Sequence, residues 1–141
     1  MKRFILAPCL FLACFLLPAG LSAGTQEKIT AATLFQSTVT AAGQPIVFPK
    51  SHTEVTALMV DIPAGVDTGW HKHPWPRYAY VVSGAVTVEN DAGQSKTYQA
   101  GEFFVEQINV FHHGTTAVPT RLLVIDQDVA GKGNQINRSQ R

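Results

Sequence analysis

The chain predicts an all-β fold, an antiparallel sandwich or small barrel. Three observations predict it. From residue 46 onward, short apolar or alternating segments follow one another, each stopped by Gly, Pro, Asn or Asp. The stops recur about every eight to twelve residues, the spacing of strands in sandwiches and barrels. Long stretches with helical periodicity are missing; residues 24–42 alone read as partly helical, a short helical or irregular extension before the strands.

In order, residues 46–48 form a short strand ended by Pro49, and 54–62 a longer one ended by Pro63-Ala64-Gly65. Residues 78–82 stop at Ser83-Gly84. Residues 85–89 run into Asn90-Asp91-Ala92-Gly93, a hairpin turn whose residues tolerate or prefer turn geometry, and 94–98 return from it. Residues 102–106, 110–114 and 120–126 complete the set. Asp126 and Asp128, at a strand end, read as solvated turn residues. Residues 131–141 are polar with Gly and Asn, and are expected to be a poorly ordered or surface tail.

The start of the chain has a different character. Met1-Lys2-Arg3 precedes an apolar run over 4–17, and small residues end at Ala23. This is the pattern of a secretory signal peptide, with cleavage expected after Ala23. A retained anchor is the rival, but the run falls short of the about 20 residues a spanning helix needs, and Pro8 and Pro18 interrupt it. The expected organisation is thus leader 1–23, extension 24–45, barrel 46–130 and tail 131–141. The protein is expected to be secreted or periplasmic, with no membrane contact after cleavage.

Both cysteines, Cys9 and Cys14, lie in the leader. The mature chain therefore lacks disulfides, thiol nucleophiles and thiolate ligands, and any metal must be held by imidazole and oxygen. Losing Lys2 and Arg3 turns the formal charge of +1 into −1. Nothing in that balance suggests nucleic acid, and no basic run stands out.

Chemistry concentrates in the histidines. Of five, four fall into two pairs: His71 with His73, and His112 with His113. In an extended strand, alternate side chains share a face, so His71 and His73 converge. By the same rule His112 and His113 point oppositely, and only one of them faces the first pair. Two imidazoles converging with a third make a minimal metal site with open positions.

Spacing adds a resemblance. Gly65, five residues, His71, one residue, His73, three residues, Arg77, six residues and Gly84 resemble the first motif of the cupin superfamily. Gly101, five residues, Gln107-Ile108-Asn109, two residues, His112 and Thr116 resemble a degenerate second cupin motif, whose Pro-x-Gly and final Asn are replaced. The resemblance implies a double-stranded β-helix, or jelly-roll, with metal ligands at His71, His73 and His112. It implies a divalent transition metal, with Fe, Mn, Zn, Ni and Cu all compatible with such donors.

The fourth ligand of the family pattern, a Glu, falls on Arg77. A guanidinium stays protonated and has no acceptor, so it cannot ligate. The reading is a three-histidine site, with Arg77 and Glu106 as candidate catalytic residues. Arg77 is either an inward clamp for an anion or a surface cation displaced by the Pro74-Trp75-Pro76 kink. Glu106 is a ligand or, as the preferred reading, a partner for Arg77. His113 and His52 read as surface imidazoles, and Phe104 as a pocket wall.

The resulting functional expectation is a secreted metal-dependent enzyme, dioxygenase- or isomerase-like, acting on a small anionic or oxygen-bearing molecule. The alternative is a non-catalytic module that binds a small molecule or a metal. The resemblance also implies pairing through sheet edges, so a homodimer is expected, with residues 25–48 covering an edge or exchanging between subunits.

Overall fold

The structure is a computed structural model that describes residues 29–50 and 52–139. The leader, with its expected cleavage after Ala23, lies outside the described residues. Strand β1 (Thr53–Ile62) begins a run of nine: β2 (His71–Lys72), β3 (Arg77–Ser83), β4 (Ala85–Asn90), β5 (Ser95–Gln99), β6 (Phe103–Val105), β7 (His112–Thr115), β8 (Thr120–Val129) and β9 (Ile136–Asn137). They form two antiparallel sheets, ordered β1-β8-β3-β6 and β5-β4-β7-β2-β9. No helix occurs among the described residues; the fold is all-β, as the strand signals predict, in the jelly-roll arrangement that the resemblance implies.

The core lies between the sheets. Ala79, Val81, Leu122, Val124 and Phe104 from one sheet meet Val86 and Tyr98 from the other. Strand β8 shows how the pattern works. Thr120, Leu122, Val124, Asp126 and Asp128 alternate inward and are buried. Its inner face therefore runs from Thr120 through an apolar middle to an acidic end.

Two turn positions are decided by backbone geometry. Gly84 ends the first motif at φ +79°, and an added Cβ would lie 2.4 Å from Pro119 O. Only glycine meets both conditions. Asn109 stands where the second motif has glycine and adopts φ 56°, a conformation that Asn tolerates better than most residues. The departure in sequence thus keeps the turn. Its amide donates to His73 O at 2.8 Å, tying the second motif to the first.

Four expectations need correction. Residues 29–42 contain no helix, as a short segment lacking an apolar face to bury does not hold one. Residues 46–48 form no strand; an isolated bridge joins Val39 to Pro45 instead, and prolines at 45 and 49 remove two of the donors a ladder would use. Asp126 and Asp128 are inward residues of β8 with 5% and 4% exposure. The tail is no loose arm: β9 pairs with β2, and Asn134 is buried.

The extension also has a structural role. Ala41 N donates to Val105 O, placing the segment along β6. Gln44 exchanges two bonds with Ile108, Nε2 to the carbonyl at 2.8 Å and the Ile108 amide to Oε1 at 3.0 Å.

Candidate metal centre

The five-stranded sheet supplies the imidazoles. His71 on β2 lies directly opposite His112 on β7, and residues opposite each other in antiparallel strands share a face. His73 follows two positions after His71, held by a bridge to Ile108. The three rings form a nearly equilateral triangle, with centroids 4.8, 4.9 and 5.1 Å apart. All three residues are buried.

Each ring is oriented through Nδ1. His71 Nδ1 bonds to Gly69 O at 2.8 Å, His112 Nδ1 to Val110 O at 2.9 Å, and His73 Nδ1 to Asn134 O. A carbonyl only accepts, so each Nδ1 carries the hydrogen. That leaves every Nε2 as the free donor atom of a neutral ring, the arrangement in which an outer partner sets the tautomer of a metal ligand.

Glu106 joins them. Its backbone amide donates to Arg77 O at 2.8 Å, so residue 106 lies across the β3–β6 ladder from residue 77. Its Oε2 is 2.9 Å from His112 Nε2 and 3.0 Å from His73 Nε2. The donor atoms of His71, His73, Glu106 and His112 all lie within 4.8 Å of one another. The carboxylate that the family pattern puts at position 77 is delivered from its cross-strand neighbour. The preferred pairing of Glu106 with Arg77 is not formed.

The electrostatics match this convergence. Burial opposes ionisation of Glu106, but the His112 and His73 contacts overcome it and hold the carboxyl far below its usual range. Burial likewise opposes charge on His112, and Glu106 prevails, raising its pKa. For His71, burial dominates and lowers the pKa. A proton on His112 satisfies one contact to Glu106. His73 Nε2, although close to the carboxylate, is buried with no hydrogen-bond partner. Three imidazole lone pairs and a carboxylate aimed at one point repel one another unless a cation sits among them, a proton on His112 or a metal ion. The donor set fits a divalent metal.

Arg77 faces inward with a side chain 15% exposed, so the surface reading does not hold. It is committed to its other cross-strand neighbour: Nε and Nη2 reach the two Asp126 oxygens at 2.7 and 2.9 Å. His113 points away from the triangle. It bonds Asp67 Oδ2 at 2.9 Å and lies against Trp70, with centroids 4.3 Å apart. His52 is exposed in a loop.

Beside the cluster lies a cavity of about 240 Å³. His71, Arg77, Glu106 and His112 line one part, and Ile62, Val86, Phe104, Leu122 and Val124 line another. Gln135, from the C-terminal segment, also lines it.

A cupin-domain family model matches residues 58–126. Residues 58–126 thus form a cupin domain. Among solved structures, DMSP lyase DddQ from Ruegeria pomeroyi DSS-3 is similar at 16% identity and a TM-score of 0.52, over 67% of this chain and 46% of that one. One of the DMSP lyases RdDddP and RnDddQII gives 23% and 0.52, over 60% of this chain and 44% of its own. A variant of Bacillus subtilis oxalate decarboxylase OxdC gives 20% and 0.51, over 59% and 23%. At these identities the likeness shows the cupin fold, and the chain spans less than half the length of each of the three. No curated protein matches the sequence significantly.

Proposed function

We propose that this cupin is a secreted, metal-dependent enzyme whose divalent ion is held by His71, His73, His112 and Glu106. The observation that carries the reading is the orientation of the donors. Three Nδ1 atoms are tied to carbonyls, and three Nε2 atoms and one carboxylate are left to converge. When bound, such an ion polarises a substrate oxygen or activates dioxygen, chemistry of the isomerase or dioxygenase type. The cavity supports a small substrate with an oxygen-bearing or anionic end toward the cluster and an apolar body along Leu122 and Val124. Arg77 lines the cavity next to that end with its guanidinium held by Asp126, and the apolar wall limits the water around it.

The test is metal analysis of protein purified through its own secretion route, with wild type compared with His71→Ala. Stoichiometric transition metal in the wild type alone supports the reading; none in either rejects it. Acidification should release the metal, because the ligands must be deprotonated to bind. A mature N terminus at Gly24, read by mass spectrometry of the secreted protein, would support the leader assignment.

A non-catalytic binding module is the second reading. It draws on the engagement of the neighbouring polar groups: Arg77 with Asp126, and Gln135 with Asn137. Metal binding without turnover of any small carboxylate or hydroxy-carbonyl compound would favour it.

We also infer a homodimer through the β1 edge. Residues 38–45 lie along the β6 edge of the four-stranded sheet, while β1, at the other edge, pairs only with β8 among the described strands. Its ten residues contain no Pro or Lys and run in unbroken register, and its two charges, Glu54 and Asp61, lie near its ends, leaving the middle of the edge open to pairing. Two copies pair antiparallel across a two-fold axis. Sedimentation at micromolar concentration should give a dimer that Met59→Lys weakens; a wild-type monomer refutes it.

A further inference from the structure

The C-terminal segment, expected from sequence to be a loose tail, meets the metal centre at one residue. Asn134 is 5% exposed, and its carbonyl and both side-chain polar atoms are engaged. Its backbone carbonyl accepts from His73 Nδ1. Its Oδ1 accepts from Trp75 N at 3.0 Å. Its Nδ2 donates to Asp126 Oδ1 at 2.8 Å and lies 3.4 Å from Pro76 O. Asp126 in turn holds Arg77 through both oxygens. A continuous set of hydrogen bonds therefore runs from His73 through Asn134 and Asp126 to Arg77.

We propose that Asn134 is a positioning residue that couples the two halves of the site, setting the metal ligand His73 through its carbonyl and the substrate-facing Arg77 through Asp126. This rests on the metal-centre reading above. The side-chain chemistry is specific. At this length only Asn offers an acceptor to the Trp75 amide and donors to Asp126 and Pro76 together. Asp would keep the acceptor but set a second carboxylate against Asp126. Ala would free the backbone to move away from His73.

The flanking chain is built to hold this residue in place. Gly133 adopts φ +69° just before it. After it, β9 pairs with His71 and Lys72 of β2. Arg138 then fastens the segment: its amide donates to Trp70 O at 2.9 Å, its guanidinium lies over Phe111 at 4.3 Å and Trp70 at 5.0 Å, and Nη2 reaches Asp91 at 3.0 Å. Loops that merely cover a surface do not need such fastening.

The test uses the full mature chain with Co(II) as probe. Asn134→Ala is expected to weaken Co(II) binding about 10–100-fold, the usual cost of losing an outer partner, and to change the visible spectrum of the bound ion. Asn134→Asp is expected to lose less Co(II) affinity but to change acetate binding to the loaded protein, because it disturbs Asp126 and Arg77 selectively. Independently of metal, ¹⁵N shifts of the metal-free protein should place the His73 hydrogen on Nδ1 in wild type and redistribute it in Asn134→Ala. Asn134→Ser, which retains a hydroxyl acceptor, serves if Ala fails to fold. Folded variants with wild-type Co(II) affinity, spectrum and His73 tautomer would overturn the proposal. Absence of Co(II) binding by the wild type would sink the metal-centre reading itself, and the His73 tautomer would then decide the role of Asn134.

Discussion

The four-stranded sheet contains the same ion pair twice, in two environments. Arg77 faces Asp126 across β3 and β8, and Arg121 faces Asp61 across β8 and β1. Both are bidentate, at 2.7 and 2.9 Å in the first and 2.6 and 3.1 Å in the second. The first pair points into the barrel with side chains 15% and 6% exposed; the second points outward at 51% and 64%. Geometry alone would rank them equal. Water decides otherwise, because solvent replaces most of what the outer pair gains, while an inner charge stripped of its partner has nothing to replace it.

Breaking the inner pair should therefore have the largest effect. Arg77→Leu leaves Asp126 buried beside Asn134 and is expected to cost about 3–5 kcal/mol in chemical denaturation. The double change Arg77→Leu with Asp126→Leu should recover most of that loss, since apolar residues replace a buried pair well. A loss no greater for Arg77→Leu than for Arg121→Leu would break the comparison.

The next effect tests the sheet facing the pair. The five-stranded sheet brings the imidazoles, and the four-stranded sheet brings Arg77 and Asp126, with Glu106 just beyond its β6 strand. His112→Ala removes one of the proposed ligands outright, so metal titration should show a loss beyond the about 10–100-fold that outer partners cost. Glu106→Gln keeps the shape and removes the charge; it should weaken metal less than His112→Ala does.

A smaller effect sharpens what burial does to an unpaired charge. Asp128 is buried two positions after Asp126, and its Oδ1 has no partner. Burial first, then the nearby Asp126 and Glu54 charges, raise its pKa above 3.8. The native chain thus binds this proton more tightly than the unfolded chain, and stability falls as pH rises from that value through the raised one. Asp128→Asn should raise stability at neutral pH by about 1 kcal/mol, and the gain should vanish in acid. Thermal melts across that range would show it; a pH-independent difference would not fit.

The smallest effect belongs to the outer pair. Arg121→Leu is expected to leave the melting midpoint unchanged within error, since both partners are solvated.

These contrasts also mark what could be read from the residues in order. The strand set, the Asn90–Gly93 turn and the convergence of His71 with His73 follow from short-range patterns: alternation, turn residues and spacing along one segment. The resemblance in spacing selected His112 over His113. Glu106 was harder. Its role depends on the β3–β6 register that sets residue 106 across from residue 77, and a register signal exists only in hindsight of the pairing. Asp126 reads as a turn acid because nothing nearby in sequence marks its partner; Arg77 is 49 residues away. Asn134 gave no signal at all, since a polar Asn among Gly and Lys looks like solvent-facing chain until β9 docks.

The sequence by itself determined the all-β class, the imidazole donors and the absence of thiol chemistry from the barrel. Each is a property of residue type and local period, which the chain carries wherever it folds. The tertiary structure alone decided that a carboxylate completes the donor set, that Arg77 spends its charge on Asp126, and that the C-terminal segment reaches His73. Each is a contact between segments distant along the chain, set by strand register and by the cost of leaving a buried polar group without a partner.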